Sequence, residues 1–173
     1  MNMSIKFSYW EMSKYSNNSH LSSIKIRRAF EMLDAPGNIG LAYSQYLLSS
    51  LDSDFLENRF GACDELLIEI EKIERGEIEF FDFEYDGFIH HVNKKSATFE
   101  HAIFGICPHW PLWSCPFSHY KIAVQTARDF YSMPESLDTQ LIVELPETDM
   151  AQISLFPPKL AENKTAFGEE HNH

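Results

Sequence analysis

Glu77-Ile78-Glu79-Phe80-Phe81-Asp82-Phe83-Glu84-Tyr85-Asp86-Gly87-Phe88-Ile89-His90-His91-Val92 is the stretch that decides how this chain folds. Asp-Gly between two runs of aromatic and apolar residues is a strong short-range hairpin signal. Gly accepts the positive φ of a type I′ turn, and Asp tolerates it. A two-residue loop at Asp86-Gly87 sets Tyr85 opposite Phe88, Phe83 opposite His90, Asp82 opposite His91 and Phe81 opposite Val92. Asn93-Lys94-Lys95-Ser96 then turns the chain into a third strand, giving an antiparallel meander over about residues 77–104. A loop of two or four residues after Val92 pairs His90 with Phe99 and Phe88 with His101.

Side chains alternate along a strand, so Phe81, Phe83, Tyr85, Phe88, His90 and Val92 share one face. Ile78 and Phe80 have the opposite parity, and a β-bulge at Phe80-Phe81 restores the phase. With that bulge every aromatic residue faces the core. Glu77, Glu79, Asp82 and Glu84 then line the outer face, with Asp86 at the turn. Such a face is either a solvated charge run or an acidic docking surface. No basic residue interrupts it between Glu77 and Asp86, and on that ground it is the candidate partner-binding surface.

Outside the meander, Ile5–Trp10 alternates like a short strand. Ser16-Asn17-Asn18-Ser19 reads as a loop and helix cap. A helix is expected from about Leu21 to Leu33, ended by Ala35-Pro36-Gly37, and a second near Leu41–Leu51 whose weakly charged surface suits a covered position. Asp54–Arg75 is the clearest helix, with Leu56, Phe60, Cys63, Leu67, Ile70 and Ile73 spaced by three and four. Asp54 with Glu57 forms a capping-box pattern, and Gly76 suits the left-handed position past its end. Cys63, on the apolar stripe, is expected to be an inert buried thiol. Pro108, Pro111 and Pro116 argue against regular structure in Gly105–Phe117. Within that segment Trp110 and Trp113 are either plugs over the core edge or binding residues. His119–Met133 is an amphipathic helix ended by Pro134, and Leu141–Leu145 a last strand. The fold class is therefore α+β, an antiparallel meander plus edge strands packed against several α-helices. One domain is expected over residues 1–146, followed over 147–173 by a loosely ordered polar tail that folding does not need.

Bulk properties narrow the function. The 173 residues carry a formal net charge of −12, which disfavours nucleic-acid phosphate and anionic membranes and favours a basic partner. Three cysteines, Cys63, Cys107 and Cys115, make no disulfide framework. The opening residues lack the apolar region of a signal peptide, and no apolar run reaches membrane-spanning length. A reduced, cytoplasmic protein is the expectation.

Two constellations hold chemistry-bearing side chains. Cys107, His109, Cys115 and His119 could build a tetrahedral zinc site, although Cys-x-His is tight for its first two ligands. The alternative is a proline-rich loop with buried thiols, and no structural metal is expected. His90 and His101, both on the aromatic face, are either a catalytic acid/base pair or core histidines satisfied by hydrogen bonds. His91 is a cross-strand charge partner for Asp82. Nucleotide-binding glycine patterns, nucleophile elbows and zinc-protease motifs are absent, and only seven glycines are present. No cofactor and no enzymatic activity are expected.

Ser8-Tyr9-Trp10 with Tyr15, and Trp113-x-Cys115 followed by Tyr120-Lys121, Phe130 and Pro134-Glu135, make the chain resemble small acidic immunity proteins. These belong to bacterial polymorphic toxin systems, including contact-dependent growth inhibition. The resemblance implies a cytoplasmic inhibitor that occludes a toxin domain, often a basic nuclease, and carries over no catalytic residue. The rival classes are a small enzyme or metal protein using His90, His101 or the Cys107–His119 loop, and a subunit of an obligate oligomer.

Overall fold

The computed structural model describes residues 2–11, 26–52, 59–85, 87–148 and 153. Two antiparallel sheets and a set of helices make up an α+β fold. The first sheet has strand order β2-β1-β7, from β1 (Ser4–Glu11), β2 (Ile26–Leu33) and β7 (Gln140–Glu144). The second has order β3-β4-β5-β6, from β3 (Phe80–Tyr85), β4 (Phe88–Asn93), β5 (Ser96–His101) and β6 (Trp113–Pro116). A helical run opens as α1 (Gly37–Ala42), loosens to a π-helical stretch at Tyr43–Leu48 and closes as α2 (Ser49–Leu51). Two longer helices follow, α3 (Arg59–Glu74) and α4 (Phe117–Tyr131).

The meander has the register that the Asp-Gly turn dictates. Tyr85 pairs with Phe88, Phe83 with His90, Asp82 with His91 and Phe81 with Val92. Beyond the two-residue turn at Lys94-Lys95, His90 pairs with Phe99 and Phe88 with His101. Gly87 takes φ 89°, as the turn requires. The bulge at Phe80-Phe81 is absent, because Phe80 pairs with Asn93 in unbroken register. Phe80 therefore points outward and is 66% exposed, while Ile78 reaches the core from ahead of the strand.

Two further expectations are corrected. Residues 26–33 form a strand rather than the second half of a helix, paired along their whole length with β1; residues 21–25 lie outside the described residues. Trp113–Pro116 adds a fourth strand to the meander, with Ala97 opposite Cys115 and Phe99 opposite Trp113. Proline is compatible with this strand because β6 is a sheet edge and Pro116 ends it. Ile153, within the expected tail, packs on the core. The Leu145 amide donates to the Met3 carbonyl at 2.8 Å, and Ile153 is buried at 2% exposure. Truncation after Glu147 should thus cost about 2 kcal/mol, the worth of one buried Ile side chain. A urea midpoint indistinguishable from the full chain would show that the tail is dispensable.

Helix α3 closes as its sequence prescribes. Gly76 takes φ 74°, its amide donates to the Ile73 carbonyl, and the Glu77 amide donates to the Lys72 carbonyl. These two bonds are the Schellman closure. The buried stripe is Cys63, Leu66, Ile70 and Ile73, with Leu67 half-buried at its margin. Leu56, the Asp54–Glu57 cap and the Phe60 side chain lie outside the described residues. Burial pushes the Cys63 thiol up to about 12, with nearby Asp64 adding to the rise, so it stays protonated and inert.

Helix α4 ties the two sheets together. Near its start Tyr120 lies 6.0 Å from Phe99 of the second sheet. Near its end Phe130 packs on Tyr9 (4.9 Å) and Phe30 (5.5 Å) of the first. The π-helical stretch turns Tyr43 and Tyr46 onto Trp113, at 4.9 and 5.5 Å. All of these except Tyr9 and Phe30 are fully or almost fully buried. The inner face of the second sheet is thereby covered, and its outer face carries the charge.

Candidate protein-docking surface

Strand alternation puts Phe80, Asp82 and Glu84 of β3, Ile89 and His91 of β4, and Thr98 and Glu100 of β5 on the outer face. The register lays two rows across it, Asp82–His91–Thr98 and Glu84–Ile89–Glu100. In the first, His91 Nδ1 lies 2.7 Å from Asp82 Oδ1, and its Nε2 reaches diagonally to Glu100 Oε2 at 3.3 Å. Burial pulls the His91 pKa down, but the hydrogen bonds and charges of the two carboxylates outweigh it and the net shift is up. In the second row a half-buried Ile89 lies between two glutamates.

The acidic ridge is thus displaced from its expected line. Asp82 and Glu84 occupy it as predicted. Glu79 precedes the strand and shares a shallow groove with Asn93, Lys94 and Lys95. Glu77 lies 4.0 Å from Arg75, and Asp86 lies outside the described residues. Glu100, two strands from Glu84, is the carboxylate the sequence reading missed. The pairing of Phe88 with His101 already implies its place opposite Ile89.

Beside this face lies an apolar turn. Ile103 (79% exposed), Phe104 (65%) and Ile106 (64%) project from the segment after β5. The Ala102 amide donates to the Gly87 carbonyl at 2.8 Å, which joins the turn to the hairpin tip. It therefore adjoins the Glu84–Ile89–Glu100 row. His101 shapes it: its Nδ1 accepts from the amides of Ile103 and Phe104, at 3.2 and 3.1 Å, and its ring lies 4.7 Å from Trp110. An Nδ1 that accepts twice must be unprotonated, in keeping with the downward shift that burial gives this imidazole.

The two tryptophans part company. Trp113 is 1% exposed and fills the core. Trp110 is half-buried, 5.8 Å from Phe88 and 5.7 Å from Tyr46. Between β5 and β6 the most exposed apolar residues are instead those of the turn, Ile103, Phe104 and Ile106. Its three large hydrophobics lie between a strand end and a proline-rich segment, a signal legible in the sequence.

The other constellations are taken apart by the fold. His90 is fully buried, with Nδ1 2.9 Å from the Tyr120 hydroxyl, while His101 lies at the sheet margin. His119 Nε2 donates to the Pro146 carbonyl at 2.6 Å, so its Nδ1 accepts from the Tyr43 hydroxyl at 2.7 Å. Both nitrogens are thus engaged. Cys115 is buried and its thiol shifted up, and Cys107 forms a small bridge with Trp110. Cys107, His109, Cys115 and His119 do not converge, and among the described residues no three His, Cys, Asp or Glu side chains are grouped to hold a metal ion. Among the described residues no helix is long and apolar enough to cross a membrane. No family model, no curated protein and no solved structure matches the chain.

Proposed function

We propose that this chain is an acidic binding protein that occludes a basic protein, acting in the cytoplasm as the immunity partner of a toxin domain. The observation that carries this reading is the acidic outer face joined to an exposed apolar turn. Asp82, Glu84 and Glu100 supply charge that speeds encounter with a basic surface and selects against acidic ones. Ile103, Phe104 and Ile106 supply apolar area that becomes worth burying once a partner covers it. A net charge of −12 extends the same preference over the whole molecule.

Asp82→Asn with Glu84→Gln is the test, in cells co-expressing a candidate toxin domain, chosen as the variable C-terminal domain of a large secreted protein if the neighbouring upstream gene encodes one. The unaltered protein should restore growth and the double variant should not. Folding should hardly change, because both side chains are exposed, and surface substitutions of this kind stay within about 0.5 kcal/mol. Growth restored equally by the variant would move binding to the apolar turn. Failure of the unaltered protein to protect would sink the reading for that partner.

A further inference from the structure

Among the described residues, no strand pairs with the outer edge of β3. The Gly87 carbonyl bonds toward β5, and backbone direction alternates along a strand. Phe88, His90 and Val92 therefore direct their amides and carbonyls at β3, where they meet Tyr85, Phe83 and Phe81. Phe80, Asp82 and Glu84 must then direct theirs away from the sheet. Because β3 ends the order β3-β4-β5-β6, no strand among the described residues receives them.

We propose that this edge takes up an extended segment of the basic partner as an added strand, a proposal that rests on the acidic docking reading above. Main-chain bonds to Phe80, Asp82 and Glu84 would hold the segment, and side chains would select it. On the outer face, Asp82 and Glu84 would meet alternate residues of the added strand, which makes those positions Lys or Arg. On the inner face, half-buried Phe83 offers apolar surface to the intervening residues. The occupant is thus an alternating basic and apolar strand. A second copy of β3 is selected against, because antiparallel pairing with itself sets Asp82 and Glu84 against carboxylates of the other copy.

Hydrogen exchange on the full chain tests this, with a capped octapeptide of alternating lysine and valine as probe. The amides of Phe80, Asp82 and Glu84 should slow at least about tenfold, the worth of one hydrogen bond retained, while Phe81 and Phe83, already bonded to β4, change little. A capped octalysine that slows the same three amides equally would overturn the alternating basic and apolar occupant proposed here, yet leave acidic docking in place. So would no protection from the alternating peptide at millimolar concentration. Protection that rises with protein concentration alone would assign the edge to self-association and overturn the proposal. Glu84→Pro against Glu84→Gln isolates the backbone, since proline removes only an outward N–H and suits an edge. The proline variant should bind the alternating peptide about tenfold more weakly than the glutamine variant. Equal binding by the two overturns the proposal, and the exchange measurement decides alone if the proline variant does not fold.

Discussion

Trp113→Ala is expected to cost about 4 kcal/mol of folding stability, in the middle of the range for aromatic-to-alanine changes in cores. The indole lies between Tyr43 at 4.9 Å, Tyr46 at 5.5 Å and Phe99 at 5.4 Å, so its removal opens a void bounded by three rings. Its N–H has no hydrogen-bond partner among the described residues. Trp113→Phe should therefore forfeit packing volume alone and cost less than half as much. Urea denaturation of both variants gives the comparison. A Trp113→Ala protein of near-normal stability would mean that Trp113 is a surface anchor after all.

How much of this was legible follows from the range of the interactions involved. The hairpin was readable to the residue pair because its turn chemistry and its alternation lie within a few residues of each other. The same register placed His90 beside Phe99 and fixed the outward position of Glu100. Residues 26–33 were not readable, for two reasons. Their partner β1 lies well upstream, so pairing contributes nothing to local periodicity. Arg28 also breaks the alternation, occupying an inner-facing position where it pairs with Asp52 at 2.7 Å and lies 5.9 Å from the Tyr131 ring. Both partners come from other elements, so nothing nearby in the sequence explains an inward arginine. Strand β6 was hidden by the prolines around it and by Pro116 at its end, which an edge strand tolerates. The outer face with its apolar turn was half legible. Its carboxylates follow from parity, whereas the apolar turn depends on the Gly87–Ala102 bond and the His101 imidazole, which bring together residues from three segments.

Acid should unfold the protein through His90 well before its carboxylates alone would. Burial pushes this imidazole down to about 3, and the neighbouring His91 charge adds to the shift. In the unfolded chain it titrates near its ordinary value of about 6.5. A folded pKa below the unfolded one means that the unfolded state takes up a proton that the folded state refuses. The stability concerned is complete above about pH 6.5 and is lost progressively as pH falls toward 3. By pH 4 the loss from this residue is about 3 kcal/mol, from roughly 2.5 pH units at 1.36 kcal/mol each. His101 and His119 shift in the same direction and add to it. His91 shifts upward and contributes the opposite slope, favouring the folded state at low pH and losing that contribution as pH rises, though its exposure keeps the effect small. His90→Gln keeps a hydrogen-bonding side chain for Tyr120 but cannot titrate. It should be less stable than the unaltered protein at pH 7, with the gap closing by about 3 kcal/mol by pH 4. Parallel pH profiles would show that His90 titrates as an accessible imidazole, and would return it to candidacy as an acid/base group. A histidine neutral down to about pH 3 and sealed behind Phe99 and Tyr120 exchanges no proton with a substrate at neutral pH. The closing gap would therefore count against an enzyme built on the inner face and leave the outer face of the same sheet as the place to look for function.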